Sequence, residues 1–346
     1  MKGKYLYGVI GKTKNTSDGD PKGLSCKELL RGGGIATVDF RRLSAVVAEA
    51  EVKDYHKLPK EETVRELVSH QQTIEKIMEH SPILPVKFGT ILKDEEEVTA
   101  VLEKGYFFLR KTLRKFEDKI ELDLVCFWND QKAAQMAFQE SKKVKNFYKK
   151  ITSEGKTPRT VARQRPRLLR GEGIEDKITL GKLVADYLAS KKEKISLQVL
   201  KALKKETVES CSHALADVNM LLNRAFLVEK KRQRAFNHAL NILDSKFAGL
   251  LNFRLVGPLP PYSFATLLVD SLDKKEVAKA RETLKLNGQL SSKRLKQTYD
   301  KLAMRLHPDK GGNPLEFEIA TSAYKLLRNF MQNGLIAVSV YKWEER

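Results

Sequence analysis

No apolar run in this 346-residue chain approaches the ~20 residues that a membrane-spanning helix needs. The N-terminal Tyr5-Leu6-Tyr7-Gly8-Val9-Ile10 is too short for a secretory core. The expectation is a cytoplasmic protein with no membrane partner. Cysteine is sparse: Cys26, Cys126 and Cys211 stand alone, with no Cys-x-x-Cys pair, so reduced and buried thiols are expected rather than a disulfide framework or zinc module. His56, His70, His80, His213 and His238 are dispersed, none with a partner at ligand spacing, which leaves them ordinary surface or packing roles. There is no Gly-x-Ser-x-Gly elbow and no Cys/His nucleophile pair. Gly8 to Thr13 resembles half a phosphate-binding loop but has Leu6 where the first glycine belongs, and a polar Gly/Pro stretch follows where a helix should begin. Nothing here argues for an enzyme, a cofactor or a metal.

Acid is also scarce. Forty-four Asp and Glu face 64 Lys and Arg, a net charge of +20, which favours an acidic or polyanionic partner without specifying a fold. Residues 141–170 hold eleven Lys or Arg against the single acid Glu154. With Gly155, Pro158, Pro166, Gly171 and Gly173 nearby, this stretch reads as a basic interdomain loop rather than a continuous helix. Only Phe147 and Tyr148 interleave with its cations, too few for the stacking that single-stranded nucleic acid uses. A solvated linker or a contact with an acidic protein surface ranks above nucleic acid.

The remainder alternates strand and helix. Tyr5–Ile10 is strand-like, and Ile35–Phe40 with Leu43–Ala50 reads as a hairpin about Arg41-Arg42. A helix follows with Val64, Leu67, Val68, Ile74, Ile77 and Met78 on one face; then come a strand at Ile83–Phe88 and a helix from Asp94, opened by Glu95-Glu96-Glu97, where negative charge complements the helix dipole. Ile120–Trp128 is an apolar strand closing this first unit. A second set comprises a helix from Leu180 toward Leu203, a strand at Met220–Val228, a helix over Phe236–Phe247 and a strand at Leu250–Val256. Gly257–Phe264 is proline-rich and polyproline-like, and Leu335–Trp343 makes a last strand. The order indicates an α+β layer architecture.

Between those last two segments lies the sharpest motif. Leu295, Tyr299, Leu302 and Leu306 repeat at helical spacing, as do Ile319, Ala320, Ala323, Tyr324 and Leu327. Pro308 ends the first helix, and Lys310-Gly311-Gly312-Asn313-Pro314 reverses the chain. Around His307-Pro308-Asp309, residues 290–331 resemble the core of a DnaJ-type J-domain. The resemblance implies a docking surface for a DnaK-class ATPase chaperone. Arg294, Lys301 and Arg305, at i, i+7 and i+11, share one face and would steer an acidic partner; Asp309 offers a carboxylate for a partner arginine. The pattern departs at Arg281–Leu286, and neither a Gly/Phe-rich linker nor a zinc module follows, so the hairpin is not a complete DnaJ co-chaperone.

A second resemblance covers most of the chain. Tyr5-Leu6-Tyr7-Gly8, Leu84-Pro85-Val86-Lys87-Phe88-Gly89-Thr90, Ile178–Val184, Asn223–Val228 and Phe253–Phe264, in that order, resemble the GvpF/GvpL family of gas vesicle proteins. The resemblance implies two ferredoxin-like-type α+β domains, the first of modified form, and assembly or support of the gas vesicle by contact with the small shell protein GvpA and other accessory proteins. The expected organisation is an N-terminal domain at 1–130, a basic segment at 131–175, a second domain at 176–268, the J-like module at 275–331, and a strand at 335–346 completing the second domain. Pro260, Pro261, Tyr262 and Phe264 carry two readings, packing under a sheet edge, which is favoured, or contact with a hydrophobic shell subunit.

Overall fold

The computed structural model describes residues 2–12, 34–51, 53, 55, 57–154 and 172–343. Most of the expected polar loop from Gly11 to Gly23, the part of the basic stretch at 155–170 and Cys26 lie outside them. The chain divides into two compact units, Met1–Glu117 with Pro260–Lys342, and Asp118–Leu259 with Trp343–Arg346. The fold is mixed α+β, with antiparallel sheets and helices.

In the first unit, β1 (Lys2–Gly11) is central. It pairs antiparallel with β3 (Leu43–Glu51) on one side and with β4 (Ile83–Pro85) and β5 (Ile91–Leu92) on the other; β2 (Ile35–Phe40) adds to β3 through the Arg41-Arg42 turn. Helices α1 (Lys60–Met78) and α2 (Glu95–Phe116) pack on this sheet. Asp94 starts α2 by accepting from Glu97 N–H at 3.0 Å, while the Glu97 carboxylate accepts from Lys93 N–H, one residue ahead of the cap, at 3.0 Å. On α1 the apolar face is only half used: Ile74 and Ile77 are buried against Ile10, Val46 and Ile83, whereas Val64, Leu67 and Val68 stay exposed.

The second unit contains β6 (Lys119–Trp128), α3 (Asp130–Glu140), α4 (Lys142–Glu154), α5 (Glu172–Leu203), β7 (Glu209–Ser212), β8 (Met220–Glu229), α6 (Gln233–Lys246) and β9 (Leu251–Leu259), with strand order β7-β8-β6-β9. Its core gathers Leu122, Leu124, Cys126, Val199, Phe226 and Phe236. Two expectations change here. Ile120–Trp128 does not close the first unit; β6 is hydrogen-bonded to β8 on one side and β9 on the other, because a strand with two ladder edges and a buried apolar face is satisfied only inside a sheet. Residues 142–154 are helix rather than loop: Val144 is buried, Phe147 and Ile151 follow at i+3 and i+7, and the lysines face outward, while the Gly155 and Pro158 breakers come only after Glu154.

The chain then returns to the first unit. β9 runs through Gly257-Pro258, joined by a cis peptide bond, to Leu259, so the expected polyproline-like start is strand. β10 (Thr266–Ser271) leads into α7 (Lys274–Thr283), α8 (Ser292–Leu306), a 3-10 turn (Pro308–Lys310) and α9 (Pro314–Asn333), and β11 (Ile336–Tyr341) pairs antiparallel with β10. The last strand therefore does not complete the second domain, and Pro260–Leu268 also belongs to the first unit; the backbone groups of β11 find their partners on β10. Lys87 N–H donates to Leu267 C=O at 3.0 Å, and Lys104 of α2 donates to the carbonyls of Asn333 and Ile336, a cation at the C-terminus of α9. The three helices enclose their own core of Val277, Ala280, Leu284, Leu295, Ala323 and Leu327.

Candidate functional site

Each residue of the turn after α8 has a local reason. His307 takes extended backbone angles, φ −61° and ψ 129°, as steric conflict with Pro308 requires. Pro308 opens the 3-10 turn. Gly311 has φ +80°, a left-handed conformation that favours glycine. Asn313 caps α9 by accepting from Leu315 N–H at 2.9 Å, and Pro314 occupies the first helical position. The hairpin arms are locked by the Tyr299–Tyr324 stack, with centroids 4.2 Å apart, and by Tyr299 Oη and Thr321 Oγ1 at 3.1 Å.

His307 is half-exposed and turned toward Phe317. Its Nδ1 accepts from Asp309 N–H at 3.2 Å and its ring meets Phe317 edge-on at 5.2 Å. The Asp309 carboxylate approaches the same nitrogen at 3.6 Å. Asp309 faces outward, its side chain 87% exposed. His307 thus shapes the turn, and Asp309 presents its carboxylate to the outside. Arg294, Lys301 and Arg305 are all exposed on α8, joined there by Lys293 and Lys296, with Asp300 the lone acid of the helix. The structure places the six expected docking residues on one helix and the turn that ends it.

The other expected site is placed differently. Pro260, Pro261 and Phe264 are buried, and Tyr262 is partly buried against the cluster of Ile10, Val46 and Ile74. A tight turn holds them, Tyr262 N–H donating to Pro260 C=O at 2.7 Å and Ala265 N–H to Pro261 C=O at 2.7 Å. With three of these side chains buried and Tyr262 partly buried, the arrangement is that of the favoured packing reading rather than of an exposed shell contact.

A further cluster was not legible as a unit. The Tyr5 hydroxyl lies 2.9 Å from His70 Nδ1 and accepts from Gly89 N–H at 3.3 Å, while His70 also bonds to the Val86 backbone. Tyr7 stacks on His70 at 5.7 Å, Phe88 meets it edge-on at 5.5 Å, and Tyr55 closes on Phe88 at 4.8 Å. Burial pushes His70 down to about 4, so it is neutral at pH 7, and burial raises the Tyr5 hydroxyl. The only signal in the sequence was Tyr5-x-Tyr7, two aromatics at strand period; the ordinary reading of His70 gave no hint of its ring partners. Among the described residues no group of three or more His, Cys, Asp or Glu could hold a metal ion, and no helix is long and apolar enough to cross a membrane.

The described residues thus form two α+β units, the first carrying a three-helix insertion between paired strands with an outward carboxylate and a cationic helix. Residues 3–266 match the family model for gas vesicle synthesis protein GvpL/GvpF, and the chain belongs to that family. Gas vesicle protein F of Nostoc sp. is 28% identical over 210 residues, 59% of this chain and 78% of that protein. Gas vesicle protein F1 of Halobacterium salinarum is 22% identical over 266 residues, 76% of this chain and 92% of that protein. The crystal structures of GvpF from Anabaena sp. and from Microcystis aeruginosa share the fold: TM-scores are 0.56 and 0.52, identities 23% and 21%, covering 76% and 75% of this chain and 98% of each solved chain. Helices α7, α8 and α9 lie beyond the residues matched by the family model.

Proposed function

We propose that this chain is a cytoplasmic assembly or accessory protein of the gas vesicle, without catalytic activity, whose α+β body holds the small shell protein GvpA and whose helical module recruits a DnaK-class chaperone. Membership of the GvpL/GvpF family supports the first half. The observation that carries the second is the Asp309 carboxylate, held outward on a tightly bonded turn at the end of a cationic helix. His307 and Pro308 shape the turn, Asp309 engages a partner arginine, and Arg294, Lys301 and Arg305 steer an acidic chaperone surface into contact. The strand order β7-β8-β6-β9, with helices between β6 and β7 and between β8 and β9, supports a ferredoxin-like reading of the second unit; β2-β3-β1-β4 supports a modified form in the first.

The test is chaperone ATPase stimulation by the purified full chain, paired with pressure-collapsible light scattering from cells complemented by wild type or Asp309→Asn. Stimulation by wild type and its loss in the variant are expected, with scattering restored only by wild type. No stimulation by the wild-type chain ends the recruitment half.

A second reading makes the module purely structural. It is favoured by the ties of β11 to β10 and of Lys104 to the end of α9, and it predicts normal vesicles with Asp309→Asn. A nucleic-acid partner, suggested by the net charge of +20, would show affinity falling steeply with log salt.

A further inference from the structure

The aromatic cluster around His70 forms one wall of a cleft of about 370 Å³ lined by residues of β1, β3 and α1 and by Lys53 and Tyr55. Its geometry follows from two strings distant in the chain. Tyr5 and Tyr7 fall on one side of β1 because strand side chains alternate, and the β1/β3 register slips between Leu6 and Gly8, which leaves Tyr7 as the extra residue of a bulge, a device that re-aims a side chain. Gly8 follows by necessity, since a Cβ there would lie 2.8 Å from the Leu84 carbonyl oxygen. From the other side, Val86, Phe88 and Gly89 supply a backbone bond, a ring and an amide to the same cluster. The Tyr5 hydroxyl, bonded to His70 and accepting from Gly89, has little freedom left. The wall is preorganised.

The mouth of the cleft is acidic although the chain is strongly basic. Glu49, Glu51 and Glu66 line it, with Lys53 the one cation among its lining residues. Glu66 lies near enough to raise Tyr5, Tyr7 and Tyr55, in each case after the larger effect of burial. The neutral His70 adds no opposing charge to the wall. Lys53 places its ammonium 3.0 Å from Glu66 and 3.7 Å from Glu62, and its side chain remains 34% exposed. The cleft therefore already accepts an ammonium group belonging to the chain itself, held by pairs of the weak, solvent-exposed kind. Aromatic faces joined to a carboxylate are the chemistry that selects organic cations.

We propose that this cleft is a binding site for an organic cation, a guanidinium or primary ammonium group, which displaces Lys53 from Glu66 and sits against the Tyr7 and Tyr55 rings. The volume admits one such group with its alkyl stem. The cation can arrive as an arginine or lysine side chain of a partner chain or as a free small amine, and these sources differ in whether peptide flanks contribute.

The test uses the full-length protein and follows the Gly89 amide by nuclear magnetic resonance while N-acetyl-arginine-methylamide is added. The uncharged N-acetyl-citrulline-methylamide and the flankless monocation butylguanidine are titrated in parallel. Saturable millimolar binding of the arginine compound, and none of the citrulline one, is the expected result. Glu66→Gln should weaken binding about fivefold and Tyr55→Leu about tenfold, while Lys53→Ala should strengthen it about fivefold by removing the internal competitor. Tyr55→Leu keeps the test open should Glu66→Gln unfold, which a thermal melt reveals. Butylguanidine binding as tightly as the arginine compound assigns the site to a free small cation; butylguanidine binding more weakly assigns it to a partner side chain. Equal shifts by citrulline and arginine compounds, or weaker binding in Lys53→Ala, overturn the proposal. Because neither the docking turn nor the chaperone enters this experiment, its failure leaves the assembly reading untouched.

Discussion

Gly312 stands so close to Leu306 that a Cβ on it would lie 2.2 Å from the Leu306 carbonyl carbon. The end of α8 and the start of α9 are thus joined through a backbone-to-backbone contact that only glycine permits, sealed by Gly312 N–H donating to His307 C=O at 3.1 Å. Gly312→Ala must push the turn apart, at a cost of roughly 2–3 kcal/mol. Urea unfolding of the full chain and faster exchange of the Lys310 amide, which donates to His307 C=O at 2.9 Å, would register it; an unchanged exchange rate contradicts the contact.

His307 and Asp309 separate shape from recognition. His307→Gln loses the ring contact with Phe317 and is expected to destabilise the module by about 1 kcal/mol. Asp309→Asn alters an exposed group and should leave stability within about 0.5 kcal/mol while abolishing chaperone stimulation. Comparable melting of Asp309→Asn and wild type, with only the latter active, is the diagnostic pattern.

His70 links stability to pH. Its folded value is lowered by burial from 6.5 to about 4, so between those values the unfolded chain binds the extra proton. Stability from this group is full above pH 6.5 and is lost as pH falls toward 4, on the order of 3 kcal/mol at the acid end. Denaturant midpoints measured between pH 4 and 7.5 should fall with acid in wild type and fall less in His70→Phe. An identical slope in both proteins would assign the acid sensitivity to other groups.

Thiol reactivity should be low in the native state. Cys126 and Cys211 are buried, and burial pushes Cys126 up to about 12, which removes the reactive thiolate at pH 8. Neither should react with an aromatic disulfide reagent within minutes, and both should do so in guanidinium. Rapid native labelling of Cys126, located by mass spectrometry, would contradict its burial in the second core.

Local chemistry was readable wherever a single element satisfies itself. Asp94 before Glu97, Asn313 before Pro314 and the two apolar stripes of α8 and α9 each announce a helix boundary or face through contacts within a few residues. The same periodicity overreached on α1, where Val64, Leu67 and Val68 fit the pattern yet stay exposed, because a stripe states what could be buried and not whether a neighbour arrives to cover it. It fell short on α4, whose cations masked Val144, Phe147 and Ile151.

By itself, then, the sequence determined the α+β character, the position of the His307–Asp309 turn and the reason its glycines and prolines stand where they do, since these depend on backbone sterics and caps that act over one or two turns. Tertiary structure alone decided that β6 joins β8 and β9, that β11 returns to β10, that Pro260, Pro261 and Phe264 turn inward, and that Tyr5, His70 and Phe88 share one wall. Strand partners and ring neighbours separated by scores of residues carry no local signature: a ladder edge or an aromatic face is equally well satisfied by many partners, and only the packing of the whole chain selects one.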